Sequence, residues 1–185
     1  MKELSLNLLD IAENSVKAGA TLTELLLEET DTKLTMMVRD DGCGMTAEVL
    51  RGVTDPFYTT RTTRSVGLGL PLLRLAAEQT GGGMTVISRH REEHPADHGT
   101  QVTAIFHTNH IDCPPIGDAV ATVTTLIQGH PDTDFLFRHS RPAKEPVELD
   151  TRQLREILGE VSLGEFEVLQ WISGFLREQY DAPTA

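Results

Sequence analysis

The chain has 185 residues, with 16 Lys and Arg against 28 Asp and Glu, a formal net charge of −12. That length suits one domain, or one domain with a sizeable appendage, and it can bury a core without covalent staples. So acidic a chain is a poor non-specific ligand for DNA or anionic lipid, and no apolar run approaches the roughly 20 residues that cross a bilayer.

The N-terminus lacks the apolar stretch of a signal peptide. Cys43 and Cys113, the two cysteines, form neither a disulfide framework nor a metal knuckle. The expectation is a soluble, cytoplasmic protein that works on neither nucleic acid nor membrane.

Leu4, Leu8, Ile11, Ala12 and Val16 recur at helical spacing, with Gly19 placed as the C-terminal glycine. Two strand-like runs follow, Thr21 to Glu28 and Lys33 to Arg39, joined by the turn Thr30-Asp31-Thr32. Asp40-Asp41-Gly42-Cys43-Gly44 is too glycine-rich to prolong a strand, and Thr46 then caps a short helix to Val53. Thr54 to Ser65 is polar, threonine-rich and basic, and reads as a loop. Val66-Gly67-Leu68-Gly69-Leu70 opens a helix to about Gln79, with Pro71 tolerated in its first turn. Strands at Met84 to Arg89 and Thr100 to His107 flank a charged connection.

Past a boundary near Cys113-Pro114-Pro115 come a helix (about Gly117 to Gln128), a short strand at Asp134 to Phe137 and a Pro-rich link. Asp150 caps a helix over Thr151 to Leu158. Ser162 and Glu165 have the spacing of a capping box for a last helix ending near Tyr180, with the stripe Phe166, Leu169, Ile172, Phe175 and Leu176. That stripe suits packing on the first domain, or docking of a partner. The division is 1–110 and 111–185, the latter a small α+β extension.

Asp10 and Asn14 lie four apart, on one face of the first helix. An Asn oxygen can complete a Mg²⁺ octahedron otherwise made of phosphate oxygens and waters, and a carboxylate one turn away can orient or deprotonate a nucleophile. Simple solvation on an outer face satisfies both residues equally. Asp40, at a strand end before Gly42 and Gly44, can accept from the exocyclic amine of adenine and would repel guanine, which offers an acceptor there. The same residues also make an ordinary turn.

Gly67-Leu68-Gly69-Leu70 sets glycines at a helix N-terminus, where free N–H groups and the dipole favour phosphate. The preceding Thr59, Thr60, Arg61 and Arg64 are donors suited to closing over a polyphosphate. Thr100, at the start of the last strand of this layer, can reach the adenine side through water. His90, His94 and His98 are four apart, but Pro95 and Gly99 break any helix there, so a solvated loop is preferred to a metal face.

Leu8-Leu9-Asp10-Ile11-Ala12-Glu13-Asn14-Ser15, Asp40-Asp41-Gly42-Cys43-Gly44, Pro56-Phe57-Tyr58-Thr59-Thr60-Arg61, Gly67-Leu68-Gly69-Leu70 and Gly99-Thr100 stand in this order. They resemble the successive boxes of the GHKL superfamily: DNA gyrases, ninety-kilodalton heat-shock chaperones, histidine kinases and MutL proteins. The first box, with Ala18-Gly19-Ala20-Thr21, is similar to MutL. The stretch from Phe57 to Thr100 is similar to histidine kinases.

The resemblance implies the α+β Bergerat fold, a two-layer sandwich whose mixed, mostly antiparallel sheet has helices on one face. It implies ATP and Mg²⁺ as ligands. Asn14 would bind the metal, Asp40 would read adenine between Gly42 and Gly44, and Thr100 would support it. Phe57 would anchor an ATP lid carrying Thr60 and Arg61, and Gly67, Leu68, Gly69 and Leu70 would form the phosphate box. Asp10 stands where the ATPases of the superfamily carry a glutamate base, one methylene longer.

No histidine precedes Asn14, so the phosphoacceptor hairpin of a complete histidine kinase has no counterpart here. The sequence therefore favours a stand-alone kinase or regulator that passes the γ-phosphate to a partner protein. The alternatives are an ATP-hydrolysing switch like MutL or the chaperones, and an ATP sensor without turnover. Phosphoacceptor, upstream signal and oligomeric state are not encoded in any motif found.

Overall fold

A computed structural model describes residues 3–54 and 69–183. Six strands form one sheet: β1 (Leu22–Glu29), β2 (Lys33–Asp40), β3 (Gly83–Arg89), β4 (Gly99–His107), β5 (Asp134–Ser140) and β6 (Val147–Asp150). Their order is β3-β4-β2-β1-β5-β6. Every neighbouring pair is antiparallel except β1 and β5. That parallel pair needs a crossover, whose last leg, from β4 to β5, runs through the helix Ala119–Gly129.

Two-residue alternation decides which face is buried. Leu25 and Leu27 on β1, Leu34, Met36 and Val38 on β2, and Val102, Ala104 and Phe106 on β4 all point one way and are buried. Phe135 and Phe137 on β5 and Val147 and Leu149 on β6 continue the same face. The opposite face carries Glu24, Arg39, Ile87, Gln101 and Arg138 and stays open to water. Phe106, Phe135 and Phe137 are fully enclosed, so truncating any of them to Ala should cost about 3–5 kcal/mol.

The helical layer lies on the apolar face. α1 (Leu4–Lys17) packs on β1 and β2, while α2 (Ala47–Thr54) and α3 (Gly69–Gln79) lie over β3, with α3 also on β4. α4 (Ala119–Gly129) fits between α1 and α6 (Phe166–Asp181), and α5 (Thr151–Leu158) packs against β5. The segment after residue 110 is knitted into this layer. Leu4 and Ser5 N–H groups donate to the carbonyls of Pro115 and Ile116, Thr122 Oγ1 donates to the Ser5 carbonyl, and Glu13 meets His130 Nε2 at 2.9 Å.

Three local expectations need correction. β5 runs on to Ser140 and pairs with β6, so part of the expected Pro-rich link is strand. Strand pairing with β1 carries the chain past Phe137, where polar Arg138 and His139 hid the alternation. The Ser162–Glu165 capping box does not form: Ser162 Oγ accepts from Gly164, and Glu165 is the N-cap without a side-chain bond. Phe166 opens the helix largely exposed, so the buried stripe is Leu169, Ile172 and Leu176, with Phe175 at its margin. The caps at Thr46 and Asp150 form as expected, with Val49 and Arg152 N–H groups as donors. Among the described residues no helix is long and apolar enough to cross a membrane.

Candidate functional site

At one end of the sheet the apolar rows give way to a polar one. The register sets Ser88 of β3, Thr100 of β4, Asp40 of β2 and Thr23 of β1 side by side. Asp40 shares its parity with Val38, so its carboxylate lies on the helix face. Oδ2 accepts from Ser15 Oγ of α1 at 2.7 Å, and Oδ1 accepts from the N–H groups of Gly42 at 2.9 Å and Thr100 at 3.3 Å. Thr100 Oγ1 lies 2.7 Å from Ser88 Oγ, which in turn accepts from the Met45 N–H. An ionised carboxylate has about four lone-pair directions. Three are occupied, which leaves acceptor capacity for one outside donor. Thr23 Oγ1, buried in the same row, has no partner among the described residues.

The turn after Asp40 is held in a fixed shape. Asp41 binds the Thr21 hydroxyl and accepts from the N–H groups of Thr21 and Leu22. Burial alone would raise its pKa, but those bonds outweigh it and hold the carboxyl below the ordinary range. His98 reaches back from the β3–β4 connection, and its Nδ1–H donates to the Gly42 carbonyl at 2.6 Å. Cys43 N–H donates to the Ala18 carbonyl, and Arg91 N–H to that of Cys43. Gly44 has φ +69°, and a Cβ there would fall on the Arg89 carbonyl, so only glycine fits. The Gly42–Gly44 segment is thus clamped between α1 and the β3–β4 hairpin.

Asp10 and Asn14 project from α1 one turn apart. A Cβ built on Gly69 would stand 3.5 Å from Asp10 Cβ, which places Asp10 at the start of α3. Asn14 makes no side-chain hydrogen bond among the described residues, and one free amide oxygen suits Mg²⁺ whose other ligands are phosphates and water. No group of three His, Cys, Asp or Glu among the described residues could hold a metal by itself.

Of the expected site residues, Asp10, Asn14, Asp40, Gly42, Gly44, Gly69 and Thr100 come to this one end of the helix face. Leu70 turns its side chain into the core. Phe57, Thr60, Arg61, Gly67 and Leu68 lie outside the described residues, as do Thr59 and Arg64. Sequence reasoning assigned no role to Ser15 or Ser88 and read His98 as part of a solvated loop, whereas its ring is half-buried on the Gly42 carbonyl. Ser15 was within reach, since it follows Asn14 on a buried turn. Ser88 needed the β3–β4 register, and His98 needed the hairpin's fold over the Gly42 turn.

A separate groove of about 630 Å³ opens on the bare sheet face, lined by Glu24, Arg39, Ile87, Arg89 and Gln101 among others. Asp40 and Thr100 border it too, although the alternation of their strands turns their side chains to the helix side. Asp41, His98 and Gly99 also border it, so it adjoins the polar row across the sheet.

Residues 1–110 match the family of histidine kinase-, DNA gyrase B- and HSP90-like ATPases. The chain belongs to this family. As a GHKL domain it shows the expected α+β architecture, a mixed six-stranded sheet beneath a helical layer. It is 33% identical over 82 residues to the sensor histidine kinase ZraS of Klebsiella oxytoca, a match covering 44% of this chain and 18% of that kinase. The chain spans less than a fifth of the length of the curated relatives it matches.

Its fold is similar to the N-terminal domain of a DNA repair protein, with a TM-score of 0.53 at 14% identity, covering 81% of this chain and 53% of that one. The MutL ATPase domain of Aquifex aeolicus, solved with ADP, aligns with a TM-score of 0.49 at 14% identity, over 71% and 57% of the two chains.

Proposed function

We infer that this GHKL domain binds ATP on the helix face, at the polar end of the sheet, and passes the γ-phosphate to a separate protein. The observation that carries the reading is the convergence of Asp10 and Asn14 from α1, the Asp40–Gly44 turn, Thr100 from β4 and the start of α3. Asp40 offers its spare acceptor direction to the exocyclic amine of adenine, and a guanine oxygen there would meet like polarity. Ser15 and the N–H groups of Gly42 and Thr100 fix the carboxylate before any ligand arrives. Asn14 is the described residue that would hold Mg²⁺, through its side-chain oxygen. When bound, that ion neutralises phosphate charge.

Asp10 stands one turn before Asn14, on the α3 side, where its carboxylate can orient an attacking hydroxyl and accept its proton. Asp10 is exposed, as a residue that meets an acceptor side chain from a partner must be. The same geometry would place a water for hydrolysis, so the two outcomes are separated by experiment. Incubation with γ-labelled ATP, with and without cell lysate, is expected to move label onto another protein. Release of free phosphate alone would instead indicate an ATP-driven switch, and neither product would indicate a sensor. Acid lability of the label separates phosphohistidine from phosphoserine.

A further inference from the structure

The last helix presents two unlike faces. Leu169, Ile172 and Leu176 are buried against the layer, as an amphipathic helix requires. The outer face carries Trp171, stacked on the half-buried Phe175 four residues on, with ring centroids 4.9 Å apart and planes 11° apart. Trp171 is the chain's one tryptophan, and 52% of it is open to water. Large aromatics normally bury most of their surface, and exposed ones are enriched at the centres of interfaces.

Gly174 lies on the same face, three residues after Trp171. A Cβ there would meet nothing within 4 Å. Nothing among the described residues requires a glycine at that point, although it weakens a helix interior by about 1 kcal/mol relative to Ala. It leaves the backbone open beside the indole, as a closely approaching neighbour would need.

Charge selects the neighbour. Glu167 lies one turn before Trp171 and Glu178 two turns after it, both exposed and without an ion-pair partner among the described residues. A second copy of this chain is a poor occupant. Two-fold pairing of α6 with itself, antiparallel about the Trp171–Gly174 segment, would set Glu167 against the partner's Glu178 between two chains of net charge −12. Strand addition beside the helix is also hindered. The Gln179 amide accepts from the Glu148 N–H at 2.9 Å and donates to its carbonyl at 3.0 Å, sealing the middle of edge strand β6.

We propose that the outer face of α6, centred on Trp171 and Phe175 and flanked by Glu167 and Glu178, docks a helical partner segment whose apolar residues are bordered by Lys or Arg. The surface belongs to α6, which α4 separates from α1, so the proposal does not depend on the nucleotide site.

The test uses the full chain and a fluorescein-labelled amphipathic peptide with Leu on one helical face and Arg beside it, free of tryptophan. Anisotropy measures binding, and Trp171 emission reports occupancy. Binding is expected with a blue shift of that emission. Glu167→Lys with Glu178→Lys should weaken it by roughly tenfold or more. Glu92→Lys with Glu93→Lys, the same change in net charge on the exposed β3–β4 connection, should leave it within about twofold. Trp171→Ala, at a half-exposed position, should keep its Tm and lose binding.

Equal weakening by both double variants would overturn the proposal, since the attraction would then be general. So would undiminished binding by Trp171→Ala, or failure of the peptide to bind. Concentration-dependent dimerisation abolished by Trp171→Ala would give the face to a second copy and equally overturn it.

Discussion

Replacing Asp40 by Asn removes one charge and turns one of two acceptor oxygens into a donor. In the folded chain the substitution is tolerable. The remaining oxygen can still accept from the N–H groups of Gly42 and Thr100, and the new NH₂ can donate to Ser15 Oγ, now 2.7 Å from Oδ2. The expected stability loss is therefore within about 1 kcal/mol, or a few degrees in Tm for a chain of this size.

For the ligand the effect is different. A charge-assisted hydrogen bond of about 1.5–3 kcal/mol is lost, and a donor facing the adenine amine is left unpaired at about 1–3 kcal/mol. A combined cost of about 3 kcal/mol or more lowers ATP affinity by roughly 100-fold or more. Calorimetric titration with MgATP, alongside thermal unfolding, measures both quantities. Unchanged affinity at native Tm would refute the adenine assignment. Collapse of the fold would show that Asp40 acts mainly by holding the Ser15–Gly42–Thr100 junction together.

Asn14→Ala should weaken ATP binding by at least about tenfold in Mg²⁺ and leave it nearly unchanged in EDTA; an equal loss in both media would remove Asn14 as metal ligand. Asp10→Ala should keep ATP affinity and reduce turnover by roughly 10²–10⁴-fold, and full activity would eliminate it as base. His139 is 3% exposed, with Nε2 2.7 Å from Glu29 and Nδ1 2.7 Å from the Tyr180 hydroxyl. Burial lowers its pKa from 6.5 despite Glu29, and burial also pushes Tyr180 up to about 12. The unfolded chain therefore binds the proton first, so this site's stability is present above pH 6.5 and lost as pH falls below it. Tm should drop as pH falls below about 6.5 and drop less in His139→Gln; parallel curves would contradict this.

Helices α1 to α3 and strands β1 to β4 were legible because their periodicities are unbroken and turn residues mark their ends. Asp10, Asn14, Asp40, Gly42 and Gly44 stand out as candidates in the sequence because chemistry and spacing coincide within short segments. What escaped depends on pairing between distant segments. Ser88 acquires its role only through its register with Thr100, and His98 only because the hairpin folds onto Gly42. β6 was hidden behind Pro146, and its place in the sheet is set by β5 rather than by its own four residues. The capping box failed because the chain turns at Gly164, where Ser162 finds a nearer donor than the helix offers.

Backbone amide chemical shifts, followed while a non-hydrolysable ATP analogue and Mg²⁺ are added to the full chain, test the central claim most directly. Convergence of the separate segments on one ligand predicts that Asn14, Gly42, Gly44, Gly69 and Thr100 respond together and saturate with one affinity. Shifts gathered instead around Arg39, Ile87 and Gln101 in the bare-face groove, or no response at all, would contradict it.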